Sequence, residues 1–216
     1  MTEVYKRLSS GEYPSDIVYT APENSSAIIS NITLTNKNYG ERIFNIHTYE
    51  VGGSKSLSNV IYNNNTIQPF ESLILEPGVT LGPGESILID VESNISASIF
   101  GSEISNFDGY KILGQSYPQN TAPIEIYTNS SNVAIVKTIV VTSTSSSDKS
   151  FYIAIKDSGQ LADSSDYLAY NHVVNPRQSI LFSSRYPIEP GQAVEVSTPN
   201  GGDVVFTVFG VEYAAN

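Results

Sequence analysis

The sequence predicts an all-β chain: two tandem antiparallel β-sandwich domains, of immunoglobulin-like or jelly-roll type, related by an internal duplication. Three observations carry this reading. First, the middle of the chain contains both its own end and its own beginning. Phe100-Gly101-Ser102-Glu103-Ile104 returns as Phe209-Gly210-Val211-Glu212-Tyr213, and Tyr110-Lys111-Ile112-Leu113 through Tyr117-Pro118 echoes Tyr5-Lys6-Arg7-Leu8 through Tyr13-Pro14. Self-similarity at a fixed step is the mark of a repeat. Second, apolar residues alternate with period two in short runs, and no segment sustains a 3.6-residue period. Third, turn signals separate these runs at the close spacing typical of sandwiches. The repeats are placed at residues 1–105 and 106–216.

Taken in order, Ile28, Ser30, Ile32 and Leu34 alternate with their neighbours, as do Ile135, Lys137, Ile139 and Val141. Both read as strands rich in branched residues, with Ile28, Ile32, Ile135 and Ile139 expected in the cores. Phe44, Ile46 and Thr48 match Phe151, Ile153 and Ile155 in the next strand. Pro69 and Pro176 precede the strands holding Leu73 and Leu75, or Ile180 and Phe182. Leu81-Gly82-Pro83-Gly84-Glu85 leads into Ile87, Ile89 and Val91. Ile188-Glu189-Pro190-Gly191-Gln192 leads into Val194 and Val196. Proline presets φ at the second turn position and glycine accepts the positive φ after it, so each is a tight turn into a strand. Ile95, Ala97 and Ile99, with Val204, Phe206 and Val208, form the last strands. The linker, 105–109, is too short for the repeats to drift apart. Strand order is not legible at this level.

Composition narrows the function classes. With 11 Lys and Arg against 22 Asp and Glu, the formal charge is -11. Such a surface repels nucleic acid and anionic membrane, and neither is expected as a partner. No cysteine is present, which removes disulfides, thiolate metal sites and thiol nucleophiles. No window has the length and apolarity of a membrane-spanning helix, and the N-terminus lacks the apolar core of a secretion signal.

Candidate chemistry is sparse, and no cofactor, metal or catalytic site is expected. His47 and His172 are unmatched between repeats, and neither has a second histidine one turn away. Asp157, Asp163 and Asp166 crowd one loop that could hold calcium, but the EF-hand spacing is missing and such loops are ordinary solvated turns. Glu103 and Glu212 are matched across repeats, so they are read as scaffold rather than as a glycosidase pair. No Gly-x-Ser-x-Gly elbow, Walker A motif or dinucleotide fingerprint occurs.

Tyrosine is the enriched type, with 14 Tyr against 8 Phe and no Trp. Its amphipathic ring suits interfaces and sugar platforms. Tyr5/Tyr110, Tyr13/Tyr117, Tyr19/Tyr127 and Tyr62/Tyr170 are matched and assigned to the fold. Tyr39, Tyr49, Tyr152, Tyr167 and Tyr186 are unmatched and become the candidate interface residues.

The pair Tyr110-Lys111-Ile112-Leu113-Gly114-Gln115-Ser116 and Phe100-Gly101-Ser102-Glu103-Ile104 resembles a β-rich module of virion proteins of marine bacteriophages, chiefly those of cyanobacteria. In that family a Lys-x-Leu-Gly-Gln start leads to an Ile/Leu-Tyr-Thr strand, and Phe-Gly-x-Glu-Ile closes the module. Ile126-Tyr127-Thr128 and Val18-Tyr19-Thr20 fill the middle element here. The likeness spans nearly the whole chain twice, departing at Leu8-Ser9-Ser10 and at the terminal Phe-Gly-Val-Glu-Tyr. It implies an accessory structural subunit of head, neck or tail, made in the host cytoplasm and carried in the particle. Its implied partners are other virion proteins and copies of itself, with no enzymatic residues. The alternative is a tandem carbohydrate-binding module for a host surface glycan.

Overall fold

The computed structural model describes residues 2–13, 15–91, 93, 95–130 and 133–213. The first half contains β1 (Thr2–Tyr13), β2 (Asp16–Thr20), β3 (Ser25–Thr35), β4 (Arg42–Tyr49), β5 (Val60–Ile67), β6 (Ser72–Leu75), β7 (Val79–Leu81), β8 (Ser86–Val91) and β9 (Ile95–Ser105). A single 3-10 turn, Leu57–Asn59, precedes β5. The second half contains β10 (Tyr110–Ser116), β11 (Ile124–Thr128), β12 (Val133–Ser143), β13 (Lys149–Asp157), β14 (Tyr167–Val174), β15 (Ser179–Ile188), β16 (Gln192–Ser197) and β17 (Val204–Tyr213).

Each half builds two sheets from its own strands. The orders are β1-β9-β3-β6, with β7 also on β3, and β2-β8-β4-β5; then β10-β17-β12-β15 and β11-β16-β13-β14. All of these pairs are antiparallel. The first strand of each half lies beside its last, and the chain crosses between sheets at most steps, the fourth and fifth strands of each half being neighbours in one sheet. That is jelly-roll order, not the immunoglobulin order in which the first two strands are neighbours. Both Pro-Gly turns form as expected. Gly84 and Gly191 take φ of 77° and 90°, and Glu85 N and Gln192 N donate back to Gly82 O and Glu189 O.

The alternation read from sequence holds over half of each long strand and then reverses. Register slips between Ile29 and Asn31 of β3 and between Val136 and Thr138 of β12. Each slip is a β-bulge, one extra residue that turns every later side chain to the opposite face. Ala27 and Ile29 are buried before the first bulge, Ile32 and Leu34 after it; Ala134 and Val136 precede the second, Ile139 and Val141 follow it. Ile32 and Ile139 are therefore core residues as expected. Ile28 and Ile135 are corrected: they lie half-buried on the other face.

The bulges also explain the Phe-Gly-x-Glu motif. A Cβ on Gly101 would stand 1.9 Å from the carbonyl oxygen of Ile28, and one on Gly210 would stand 2.3 Å from that of Ile135. Only glycine admits the bulged backbone that close. Two residues on, the motif's glutamate accepts an ion pair: Lys6 Nζ to Glu103 at 3.0 Å, and Lys111 Nζ to Glu212 at 2.8 Å. Tyr19 donates its hydroxyl to Glu103 at 3.1 Å. Burial, then the charge of Glu103, raises the Tyr19 hydroxyl pKa; burial and Glu212 do the same to Tyr127.

The two halves meet face to end. The sheet β10-β17-β12-β15 packs its inner side on the second core, where Ile139, Val141, Phe206 and Val208 join Phe151 and Val194. Its outer side contributes Ile112, Val140 and Phe209 to the core of the first half. A polar seam surrounds that contact. Thr142 donates to Ile61 O at 3.0 Å, Thr138 to Gly78 O at 3.2 Å, Asn63 to Ser143 O at 3.3 Å and Gln115 to Thr48 O at 3.2 Å. Thr80 Oγ1 lies 2.8 Å from Lys111 O. Glu85 Oε2 accepts from Gly82 N at 2.7 Å and, across the junction, from Ile112 N at 2.9 Å.

Candidate interaction surfaces

The five tyrosines singled out by sequence are scattered. Tyr39 is 91% exposed beside Phe70, ring edge to ring face at 5.0 Å. Tyr49 ends β4 at 5% exposure and offers no surface, a correction to its selection. Its counterpart one repeat later is Lys156, equally buried. Tyr186 is half-buried against the second core. Tyr152 and Tyr167 do come together, with a third ring that sequence matching had assigned to the fold. Tyr170 sits 5.2 Å from Tyr152 and 5.0 Å from Tyr167, edge to face in both cases, and is 70% exposed.

The Tyr62/Tyr170 match is corrected by strand register. Ile46 pairs with Tyr62 as Ile153 pairs with Ala169, so the structural counterpart of Tyr62 is Ala169 and that of Tyr170 is Asn63. Nothing in the sequence marks where β5 and β14 slip against their neighbours. Tyr5, also assigned to the fold, is 76% exposed, while its match Tyr110 meets Phe107 edge to face and takes Lys137 Nζ over its ring at 4.8 Å.

A row of charge runs under the tyrosine trio. Lys156, its side chain 2% exposed, reaches Glu125 at 2.6 Å and Glu195 at 3.2 Å. Burial alone would lower its pKa; the hydrogen bonds and charges of the two glutamates raise it instead. The hydrogen bond from Lys156, with those from Gly159 N and Ser158, holds Glu125 at about 2.

The remaining polar residues are engaged locally. His47 is buried, its Nδ1 3.0 Å from Asn59 Oδ1 and 3.2 Å from Ser56 O, and burial lowers its pKa. It borders a cup of about 380 Å³ with Asn45, Lys55 and Asp90, where Lys55 pairs with Asp90 at 2.8 Å. His172 packs edge to face on Phe151 and Phe182. Asp163 accepts from Ser165 N and Oγ, and Asp166 accepts from Asp163 N, a self-contained turn. Among the described residues no cluster of three or more His, Cys, Asp or Glu is placed to hold a metal ion.

The outer side of β1-β9-β3-β6 is another open surface. It exposes Phe100 at 41% and Ile74 at 61%. Sequence reading placed Phe100 only in a closing motif and did not foresee that its ring points to solvent while its counterpart Phe209 is wholly buried.

No family model matches the chain, and no curated protein matches it. Solved structures show distant likeness. A chain of Sulfolobus Turreted Icosahedral Virus is 12% identical with a TM-score of 0.39, covering 98% of this chain and 90% of that one. The tandem CBM22-1–CBM22-2 domain of Paenibacillus barcinonensis Xyn10C is 10% identical with a TM-score of 0.29, covering 99% and 86%. A fucolectin from Morone saxatilis is 10% identical with a TM-score of 0.27, covering 91% and 85%. Likeness of this strength carries no argument about what the chain binds.

Proposed function

We propose that this chain is a virion structural protein, an accessory subunit that decorates or connects capsid, neck or tail through protein–protein contacts. Residues 1–105 and 106–216 act as its two building units. The observation that carries this reading is the junction: one jelly roll already uses the outer face of a sheet, Ile112, Val140 and Phe209, to dock on the end of another. A fold that buries the outside of its sheet in this way is built for packing against protein. The resemblance of the Lys-x-Leu-Gly-Gln and Phe-Gly-x-Glu motifs to phage virion modules supports the viral setting. The net charge of -11 fits partners that are neutral or basic protein surfaces rather than nucleic acid. Catalysis has no part in this reading, because the carboxylates and histidines with a defined environment are committed to scaffold contacts. The test is mass spectrometry of intact particles purified through a density gradient. Recovery of this chain at a fixed ratio to the coat protein supports the reading, and its absence from particles overturns it.

A second reading has one specific observation in its favour. Tyr152, Tyr167 and Tyr170 form a compact, partly exposed aromatic patch near Glu195, of the kind that stacks on sugar rings. Glycan-array binding that is lost on Tyr170→Ala would select it.

A further inference from the structure

The junction inside the chain has open counterparts at both ends of the molecule. On the second half, cross-strand pairing aligns Ile112, Phe209 and Thr138 in one row, then Val140 with Leu181, then Thr142 with Ser179. These rows are covered by the first half. On the first half, the same pairing aligns Arg7, Phe100 and Asn31, then Thr33 with Ile74, then Thr35 with Ser72. The rows correspond one to one. Even the hydroxyl pair is repeated: Thr142 Oγ1 lies 3.0 Å from Ser179 Oγ, and Thr35 Oγ1 lies 2.9 Å from Ser72 Oγ. Thr142 also donates across the junction to Ile61 O; Thr35 has the same setting and no second half above it.

The end that does the covering is likewise repeated. Val60, Ile61 and Asn63 of β5 sit in the junction, at 1%, 0% and 5% exposure. Strand register makes Tyr167, Leu168 and Tyr170 of β14 their counterparts. Two of these three, Tyr167 and Tyr170, therefore carry larger aromatic side chains than the buried Val60 and Asn63 they match. Exposed tyrosine is a feature of contact surfaces, not of a free sheet edge.

We propose that copies of this chain associate head to tail: the Tyr167–Tyr170 end of one copy covers the Phe100–Ile74 face of the next, repeating the contact that joins the halves within the chain. The inference rests on the assembly reading above and names its surface. The contact is not a replica. Pro187 stands where the junction has Thr80, so the hydroxyl bond to Lys111 O has no equivalent and tyrosine area replaces it; Arg185 stands in place of Gly78, whose part in the junction is played by its backbone carbonyl. Arg7 stands where the junction has Ile112, a position that meets Glu85 rather than β5, so its guanidinium lies toward Gln192 of the covering copy, the counterpart of Glu85. Because the two surfaces differ, the contact is heterologous and propagates into a ring or a filament rather than closing a dimer.

Sedimentation velocity over a concentration series tests this on the full chain. Wild type shows a sedimentation coefficient that rises with concentration. Phe100→Asp and Tyr170→Asp each weaken association about tenfold or more, as substitutions at the centre of an interface do. Each variant keeps one intact face, so an equimolar mixture of the two forms a heterodimer and stops there. Ile74→Asp, also exposed, serves as a second variant of the first face should Phe100→Asp fold poorly. Three results overturn the proposal: wild type monomeric at every concentration, association unmoved by either substitution, or association lost with Phe100→Asp alone and not recovered on mixing, which would mean a symmetric face-to-face contact. A monomer in solution that is nonetheless recovered in particles defeats this inference and leaves the virion reading standing.

Discussion

Glu85 makes the stability of the junction depend on pH. The residue is 8% exposed, and its carboxylate accepts two backbone N–H groups, one from each half. Burial raises its pKa from 4.5 to about 7. The two N–H donors and Lys111 pull it down, and Glu50 pushes it up, but desolvation dominates. A carboxyl whose folded pKa lies above its unfolded value binds its proton more tightly in the native state. Stability is therefore fullest below the unfolded pKa and falls as pH rises through the folded one. A shift of that size corresponds to about 3 kcal/mol at 1.36 kcal/mol per unit. Glu85→Gln removes the titration and keeps an oxygen for the same two donors. The second half already uses this solution: Gln192 Oε1 accepts from Glu189 N at 2.9 Å. Urea unfolding of wild type and Glu85→Gln, compared at pH 4.5 and pH 8, isolates the effect because every other carboxylate titrates alike in both proteins. The variant should gain about 3 kcal/mol relative to wild type between those two values. A difference that stays constant with pH would refute the reasoning, as would a carboxyl resonance of Glu85 titrating at the ordinary value.

Other outcomes follow from the same geometry. Gly101→Ala forces a methyl against Ile28 O and should destabilise by about 3 kcal/mol, the upper end for overpacking, with Gly210→Ala similar in thermal or urea unfolding. Tyr19→Phe removes one hydrogen bond to Glu103 and should cost about 1 kcal/mol in the same assay. Lys156→Met leaves Glu125 and Glu195 facing each other; because Glu125 is partly open to water the loss should be about 2 kcal/mol, below that for a fully buried pair. In that variant the Glu125 carboxyl should titrate back toward its ordinary range by NMR. Residues 106–216 expressed alone should aggregate or bind a hydrophobic dye, since Ile112, Val140 and Phe209 lose their cover; a soluble, dye-silent monomer would contradict the junction described above.

The duplication, the strands and the Pro-Gly turns were legible because each rests on local chemistry: period-two apolar residues, a preset φ, a glycine able to adopt positive φ. What was not legible is set by register. Ile28 and Ile135 read as core because alternation was extrapolated through bulges at Ser30 and Lys137, which leave no mark in their own strands and show only in Gly101 and Gly210 of the facing ones. Tyr170 was matched to Tyr62 by letter, whereas pairing matches it to Asn63. The tyrosine enrichment drew attention to Tyr152 and Tyr167, which the fold brings together, yet Tyr49 shares their residue type and lies buried. Phe100 and Phe209 are identical letters in identical motifs, and only the fold distinguishes the one that faces water from the one that faces protein.

That last difference makes the two halves unequal as units. With Thr138, Val140, Thr142 and Phe209 set against the end of the first half, the second half has a face that suits water only while the first is in place. The first half in turn keeps Ile61 and Asn63 under its neighbour. Each sandwich has its own two sheets, yet neither has a complete exterior without the other, so a cut between them would bare apolar surface on both sides.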